Sequence, residues 1–474
     1  MAINDQEKGA DLFDSPPKSS PYADFDAMTT NEVLINDAVH GQIRLPPVCI
    51  AVIDTLEFQR LRALKQCGIC NLVYPTANHS RFEHSLGVCH LAREFMQHCG
   101  ADITKEKKLC VMLAGLCHDL GHGPFSHLWE RFLTRSNKKW KHEENSVKMF
   151  RALVKNNNLQ PIFRENGLKE EHEEFICNLI LGRPPQDETE LFLYEIIANE
   201  RNGIDVDKFE YIMRDSQQFG VKMNLEVPRI INHIGVVEKE GKKYIGFRDK
   251  ISDCLFEIFE TRAKLHKNCY QHRTCKAVEM MLLDALCAAD KHFRISWIEP
   301  VVGDPHGEIR SCKMSECHQN TNAFLKADDT IFCALLNSTS PELLKARRIL
   351  ESMLKRDIYA LVFDLELETD ANDDDLRRRL EDALTVYYGE KHGCEFHSCF
   401  KSLSIEIKGG EKPDVLFFEK NKPNEPFKKR MSSFMGESGR HRELLIFCTL
   451  GKKSLGLETL NNMREFAKYI YKNI

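Results

Sequence analysis

The sequence predicts a mostly α-helical protein with a smaller C-terminal α+β lobe. Apolar residues recur at helical spacing through most of residues 31–298. Beyond about residue 299, alternating apolar and polar runs appear at 358–368, 403–408 and 443–449. The 474 residues, 42% hydrophobic and 29% charged, suffice for a sizeable core without support from metal or disulfides.

Residues 1–30 are polar, contain Pro16, Pro17 and Pro21, and read as a flexible arm. A helical unit follows over 31–298. Val88, Leu91 and Phe95 share one helical face, as do Leu109, Met112, Leu113 and Leu116, and then Val147, Phe150 and Leu153. Met280, Met281, Leu283 and Ala285 mark a more buried helix. The segment 233–250 alternates and turns at Glu240-Gly241, which predicts a hairpin. The lobe 299–474, read as regulatory or oligomerising, has helices at 340–356, the three alternating runs, a basic loop over 409–441 and a closing helix at 455–473. Its two metal-like clusters are Cys312, Cys317 and His318, and His392, Cys394, His397 and Cys399. Both lack paired zinc-site spacing.

Lys plus Arg number 66 against 71 Asp plus Glu, a net charge of −5, so bulk charge does not favour nucleic acid. No run of about 18 uncharged apolar residues predicts a membrane span. The N-terminus lacks the apolar region of a secretory signal. The 18 cysteines therefore read as thiols of an intracellular compartment, nucleus or cytoplasm. Cys67-Gly-Ile-Cys70 spells CxxC without a second pair or a βαβ context and reads as accidental.

The candidate chemistry lies in His84, His118, Asp119 and Asp207. His118 and Asp119 end the buried run LCVMLAGLC, where an imidazole beside a carboxylate needs compensation. A metal supplies it, because a ligated His is neutral and a ligated Asp has its charge matched. His84 lies one turn before Val88 and shares its inward face. Two His and two Asp suit iron, zinc, manganese or magnesium better than a thiolate site does. Eight of the 19 histidines, His122, His127 and His142 among them, fall within 79–142, a supply of acid–base groups near neutral pH. On one helix Asp207, Tyr211 and Asp215 form a stripe beside Lys208. A helix near 255–273 repeats the pattern with Arg262, His266 and Tyr270, then Gln271, His272 and Arg273. Cations and rings beside a metal fit a triphosphate-bearing nucleotide.

HSRFEHSLG (79–87), GLCHDLGHGPFSH (115–127), KWKHE (139–143), RNGIDVDKFEY (201–211) and ETRAKLHKNCYQHR (260–273) resemble the HD-domain deoxynucleoside triphosphate triphosphohydrolases. The pattern is nearest to the vertebrate members that also carry a SAM domain. It runs from about Leu34 to the C-terminus, dense to 275 and thin after 370. Only residues 1–33 precede it, so a SAM domain is expected to be missing.

The resemblance implies an HD-domain helical core in which His84, His118, Asp119 and Asp207 hold iron, zinc or manganese, with magnesium on the phosphates. It implies hydrolysis of dNTPs to deoxynucleoside and triphosphate, which lowers the cellular dNTP pool and links the family to innate antiviral defence. His127 is expected to protonate the leaving 5′-oxygen, with His142 and His122 in support. Glu130 stands where the family commonly has Asp. Arg81, Lys208 and Arg262 are expected on the phosphates, and Gln66, Tyr211, Asp215 and Gln271 around the sugar. Tyr270 is expected against the 2′ position, and Cys67 replaces a common Leu. Activation by nucleotides between subunits of a homo-tetramer is also implied. Asp54, Gln59 and Arg62 match the GTP/dGTP site. Asn36, Arg229, Arg248, Lys250, Arg273 and Arg356 match the dNTP activator site, where Val33 replaces an expected basic residue. The rival reading is a catalytically weak HD-fold scaffold of innate immunity, binding single-stranded nucleic acid through Lys420–Arg442.

Overall fold

A computed structural model describes residues 31–223, 225–301, 304–367, 373–404, 414–428 and 440–473. The expected arm at 1–30, most of the run 403–408, and residues 409–413 and 429–439 of the basic loop lie outside them.

Helices dominate the first part of the chain. Ser80 and Glu83 form a reciprocal cap, Ser80 N–H donating to Glu83 Oε2 at 2.6 Å, and so start the helix Arg81–His98. That helix packs on Lys105–Cys117, whose residues from Leu109 to Cys117 are all buried. His127–Arg135, His142–Asn156, Val206–Phe219, Ser252–Leu265 and Arg273–Ala289 complete the frame around the site.

The predicted hairpin is present as antiparallel strands Ile234–Lys239 and Lys242–Arg248, with Glu240 (φ 55°) and Gly241 (φ 74°) both left-handed in the turn. It is not isolated. Gly246–Arg248 pairs in parallel with Leu416–Phe418, and Lys422–Lys428 extends the sheet to four strands. Two ribbons lay unread within and at the end of the helical stretch: Val33–Asp37 with Gly41–Leu45, and Arg294–Val301 with Asp304–Lys313. The first has strands of five residues each. The segment 294–298 alternates, with Ile295 buried and Ile298 exposed, as a strand on a core edge does.

The expected helix over 255–273 is corrected. The α-helix ends at Leu265, His266–Tyr270 form a π turn, and a new helix starts at Arg273. Across the wider turn Arg262, His266 and Tyr270 still line one cavity, and π turns recur at functional sites.

The main core gathers buried residues from Ile43 to Tyr359 and takes in Val415, Phe417, Leu445 and Phe447. A second core gathers Phe363, Leu380, Leu444, Ile446, Cys448, Leu460 and Met463. Strand Arg440–Gly451, central between Tyr359–Leu367 and Phe396–Ser404, serves both. Its side chains alternate, so Leu445 and Phe447 face one core while Leu444, Ile446 and Cys448 face the other. No helix among the described residues is long and apolar enough to cross a membrane.

Candidate metal centre and nucleotide pocket

Three chain segments deliver the candidate ligands. His84 stands in the first turn of Arg81–His98, and His118 caps Lys105–Cys117 just before Asp119. Asp207 stands in the first turn of Val206–Phe219. That helix is started by Asp205, whose carboxylate accepts from Lys208 N–H and Asn199 N–H, both at 3.0 Å.

Their donor atoms converge. His84 Nε2 lies 3.3 Å from His118 Nε2, 3.1 Å from Asp207 Oδ1 and 3.5 Å from Asp119 Oδ2. His118 Nε2 lies 3.4 Å from Asp119 Oδ1 and 3.5 Å from Asp207 Oδ1. The opposite ring nitrogens are engaged, His84 Nδ1 with Glu210 and His118 Nδ1 with the Gly115 carbonyl at 2.8 Å. Both Nε2 atoms thereby aim at one point. Burial alone would push His84 down, but Glu210, Asp207 and Asp119 outweigh it and raise the imidazole to about 10. His118 is raised against burial by Asp119 and Asp207. The centre therefore favours positive charge.

Beside it, His122, His127 and His142 meet. The rings of His122 and His142 stack 4.0 Å apart, and His127 stands edge-on to both. Glu130 accepts from His142 Nδ1 at 2.5 Å. His122 is held well below its usual range by burial, Arg81 and His142. The protein wall around His127, then Arg81 and His142, lowers it to about 4.

Gln66, Arg81, Tyr211, Asp215, Arg262, Tyr270 and Gln271 all line one cavity of about 410 Å³, together with Asp119, Asp207 and the three histidines. Lys208 lines an adjoining cavity of about 300 Å³, with His118 and Asp207, and its ammonium pairs with Asp205 at 2.7 Å. Arg81 bonds Asp119 and donates to Ser126 Oγ at 2.9 Å. Phe125 and Ser126 both adopt positive φ, 60° and 58°, which turns the chain so that Ser126 also donates to the Lys65 carbonyl. Arg262 Nε donates to the Tyr211 hydroxyl at 3.1 Å.

The nine residues expected at activator sites lie outside both cavities, at exposed or half-buried positions. Asp54, Gln59 and Arg62 are neighbours, with Arg62 over the Phe82 ring and donating to Gln59 Oε1 at 2.7 Å. Arg229, Arg248 and Lys250 flank the 234–248 hairpin, Asn36 lies on the first ribbon and Arg273 starts its helix. Arg356, at φ 61°, donates to the Leu72 carbonyl.

Sequence reasoning missed Glu210 and gave His79 no role. His79 Nε2 lies 2.6 Å from Asp215 Oδ1, and the Tyr270 hydroxyl donates to Asp215 Oδ2. Asp329, from beyond residue 299, accepts from the backbone N–H of Lys65 and Phe125 and fastens the cavity loop.

Titration of His84, of His266 and of His90, which lies on the helix Arg81–His98, predicts a stability maximum in the presence of chelator. His90 and His266, lowered by burial to about 4 and 3, take up protons on unfolding, so stability falls as pH drops below 6.5. His84, raised to about 10, has the opposite sign, and its contribution is lost as pH rises from 6.5 to 10. Thermal melts are expected to peak near neutral pH. A midpoint that climbs steadily to pH 9 would contradict this balance.

Residues 81–205 match the HD domain family model. The chain is 40% identical over 358 residues to deoxynucleoside triphosphate triphosphohydrolase SAMHD1 of Gallus gallus, covering 71% of this chain and 56% of that one. It is 39% identical to the Homo sapiens protein of the same name, covering 69% and 54%. It is 35% identical over 451 residues to that of Danio rerio, covering 88% and 70%. The chain thus spans little more than half the length of the first two relatives. By these likenesses the chain belongs to the SAMHD1 family of HD-domain proteins.

Proposed function

We propose that this chain is an intracellular, metal-dependent deoxynucleoside triphosphate triphosphohydrolase that lowers dNTP levels. The observation that carries the reading is the convergence of His84 Nε2, His118 Nε2 and Asp207 Oδ1, 3.1 to 3.5 Å apart, with an Asp119 oxygen 3.5 Å from the first nitrogen and another 3.4 Å from the second. Ligands about 2.1 Å from one ion stand roughly 3.0 Å apart at octahedral angles and 3.4 Å at tetrahedral ones. The donor set therefore fits iron, zinc or manganese held by His84, His118, Asp119 and Asp207, with magnesium accompanying the phosphates. Such an ion supplies Lewis-acid polarisation of phosphate and water.

The chain's own residues do the rest. Arg81, Lys208 and Arg262 gather the triphosphate, and Arg81 can exchange Asp119 for a phosphate oxygen. Attack of water on the α-phosphorus breaks the bond to the 5′-oxygen, releasing triphosphate and deoxynucleoside. His127 hands the proton to that oxygen. At about 4 it is neutral in the unliganded pocket, and a polyanion beside it raises its proton affinity, so it charges with substrate bound. Glu130 orients His142, which with the stacked His122 keeps the trio in place. Tyr270, held by Asp215, stands against the 2′ position, with Asp215 and Gln271 at the 3′-hydroxyl and Gln66 and Tyr211 along the sugar.

The sets Asp54, Gln59, Arg62 and Asn36, Arg229, Arg248, Lys250, Arg273, Arg356, outside the cavities, would bind GTP or dGTP and a dNTP between subunits of a homo-tetramer. Incubation with dATP, with and without GTP, tests this. Triphosphate release that requires GTP and coincides with a tetramer in sedimentation is the expected result. Hydrolysis by a GTP-independent monomer removes the switch. No product, with tight single-stranded RNA binding at low salt, removes the enzyme.

A further inference from the structure

Glu210 is fully buried on the helix that carries Asp207, and its carboxylate is committed on every side. Oε2 bonds His84 Nδ1. Oε1 receives Arg214 Nε at 2.6 Å and lies 3.2 Å from His40 Nε2. Arg214 in turn reaches Asp37 Oδ2 at 3.0 Å. Asp37 Oδ1 accepts from the backbone N–H of Val39 and His40, at 2.8 and 2.9 Å, and so builds the turn of the first ribbon. The side chains of Asp37 and His40 are each only 5% exposed, so the network is dry from the ribbon turn to the ligand. A Cβ at Gly87 would collide with the Glu210 carboxylate, so the absence of a side chain there makes room for it.

A ring nitrogen fixed by a carboxylate cannot rotate away, and its N–H must stay on that nitrogen. Glu210 therefore keeps the proton on His84 Nδ1 and the lone pair on Nε2. Arg214 and His40 hold Glu210 in turn, and both are anchored at the ribbon turn. The strand Val33–Asp37 that ends in this turn also bears Asn36. A buried ion pair that served folding alone would need Arg214 and Asp37, but no contact to His84.

We propose that Glu210 is a positioning residue for the metal ligand His84 and that it couples this ligand to the ribbon turn Asp37–His40. The inference rests on the reading of His84 as a ligand. Its test is Co2+ binding to the full chain, by titration calorimetry and by the visible absorption of the bound ion, below each variant's melting midpoint. Glu210→Gln is expected to weaken Co2+ binding by about 10- to 100-fold and to alter the visible bands. His40→Ala, which touches no ligand, is expected to weaken it by about 3- to 10-fold through the loss of one support for Glu210. If Glu210→Gln does not fold, the His40→Ala titration decides. Wild-type binding with unchanged affinity and spectrum in the folded variants overturns this inference alone. A wild-type chain that takes up no Co2+ overturns the metal reading, and this inference with it.

Discussion

Replacing Asp207 by alanine is expected to lower triphosphate release from dGTP by on the order of 10³-fold or more, while the fold survives. Asp207 Oδ1 stands 3.1 Å from one imidazole nitrogen and 3.5 Å from the other, so its removal opens the donor set and removes a charge that compensates the cation. The stability cost is small by comparison, because the side chain is 31% exposed and Asp205, not Asp207, caps the helix. Circular dichroism should therefore show the wild-type spectrum. Release within tenfold of wild type would place the chemistry elsewhere in the cavity. The contrast with Glu210→Gln is useful, since that change leaves all four donor atoms present and should reduce activity through weaker metal occupancy.

What the sequence disclosed, and what it hid, divides along physical lines. His118 and Asp119 were legible because they end a run too apolar to tolerate them unaided. Asp207, Tyr211 and Asp215 were legible because a single helix spaces them. Glu210 was not. At three residues from Asp207 it looks like any acidic residue of a solvated helix face, and its burial depends on Gly87 in a distant helix. His79 was counted but given no partner, since Asp215 lies 136 residues away. The 234–248 hairpin followed from alternation and a turn, both local. Its parallel pairing with Leu416–Phe418 did not, because nothing within either segment specifies the other. The π turn at His266–Tyr270 leaves no mark in residue spacing, which reads as one continuous helix.

Gly121→Ala should destabilise the protein more than any other single methyl added at a glycine near the site. The loop between Asp119 and His127 passes so close to the helix His142–Asn156 that a Cβ at Gly121 collides with backbone atoms of His142, Asn145 and Ser146. Backbone cannot rotate aside as a side-chain tip can. The approach is also fastened, with Gly121 N–H donating to Ser146 Oγ at 2.9 Å and Asn145 Nδ2 to the Gly121 carbonyl at 3.1 Å. Relief requires the helix to move, which costs about 3 kcal/mol or more and carries His142 away from its stack on His122. Activity should fall with the midpoint, by a drop of roughly 3 °C or more at this chain size. Gly115→Ala is the matched control. Its Cβ meets the methyl tips Ile197 Cδ1 and Val88 Cγ1, each at 3.3 Å, and touches backbone at Cys89 Cα at an ordinary 3.5 Å, inside a helix where Ala is favoured over Gly by about 1 kcal/mol. Near-neutral stability is expected there. Equal losses in the two variants would mean that the loop–helix approach is looser than these contacts require, and that His142 is not held by it.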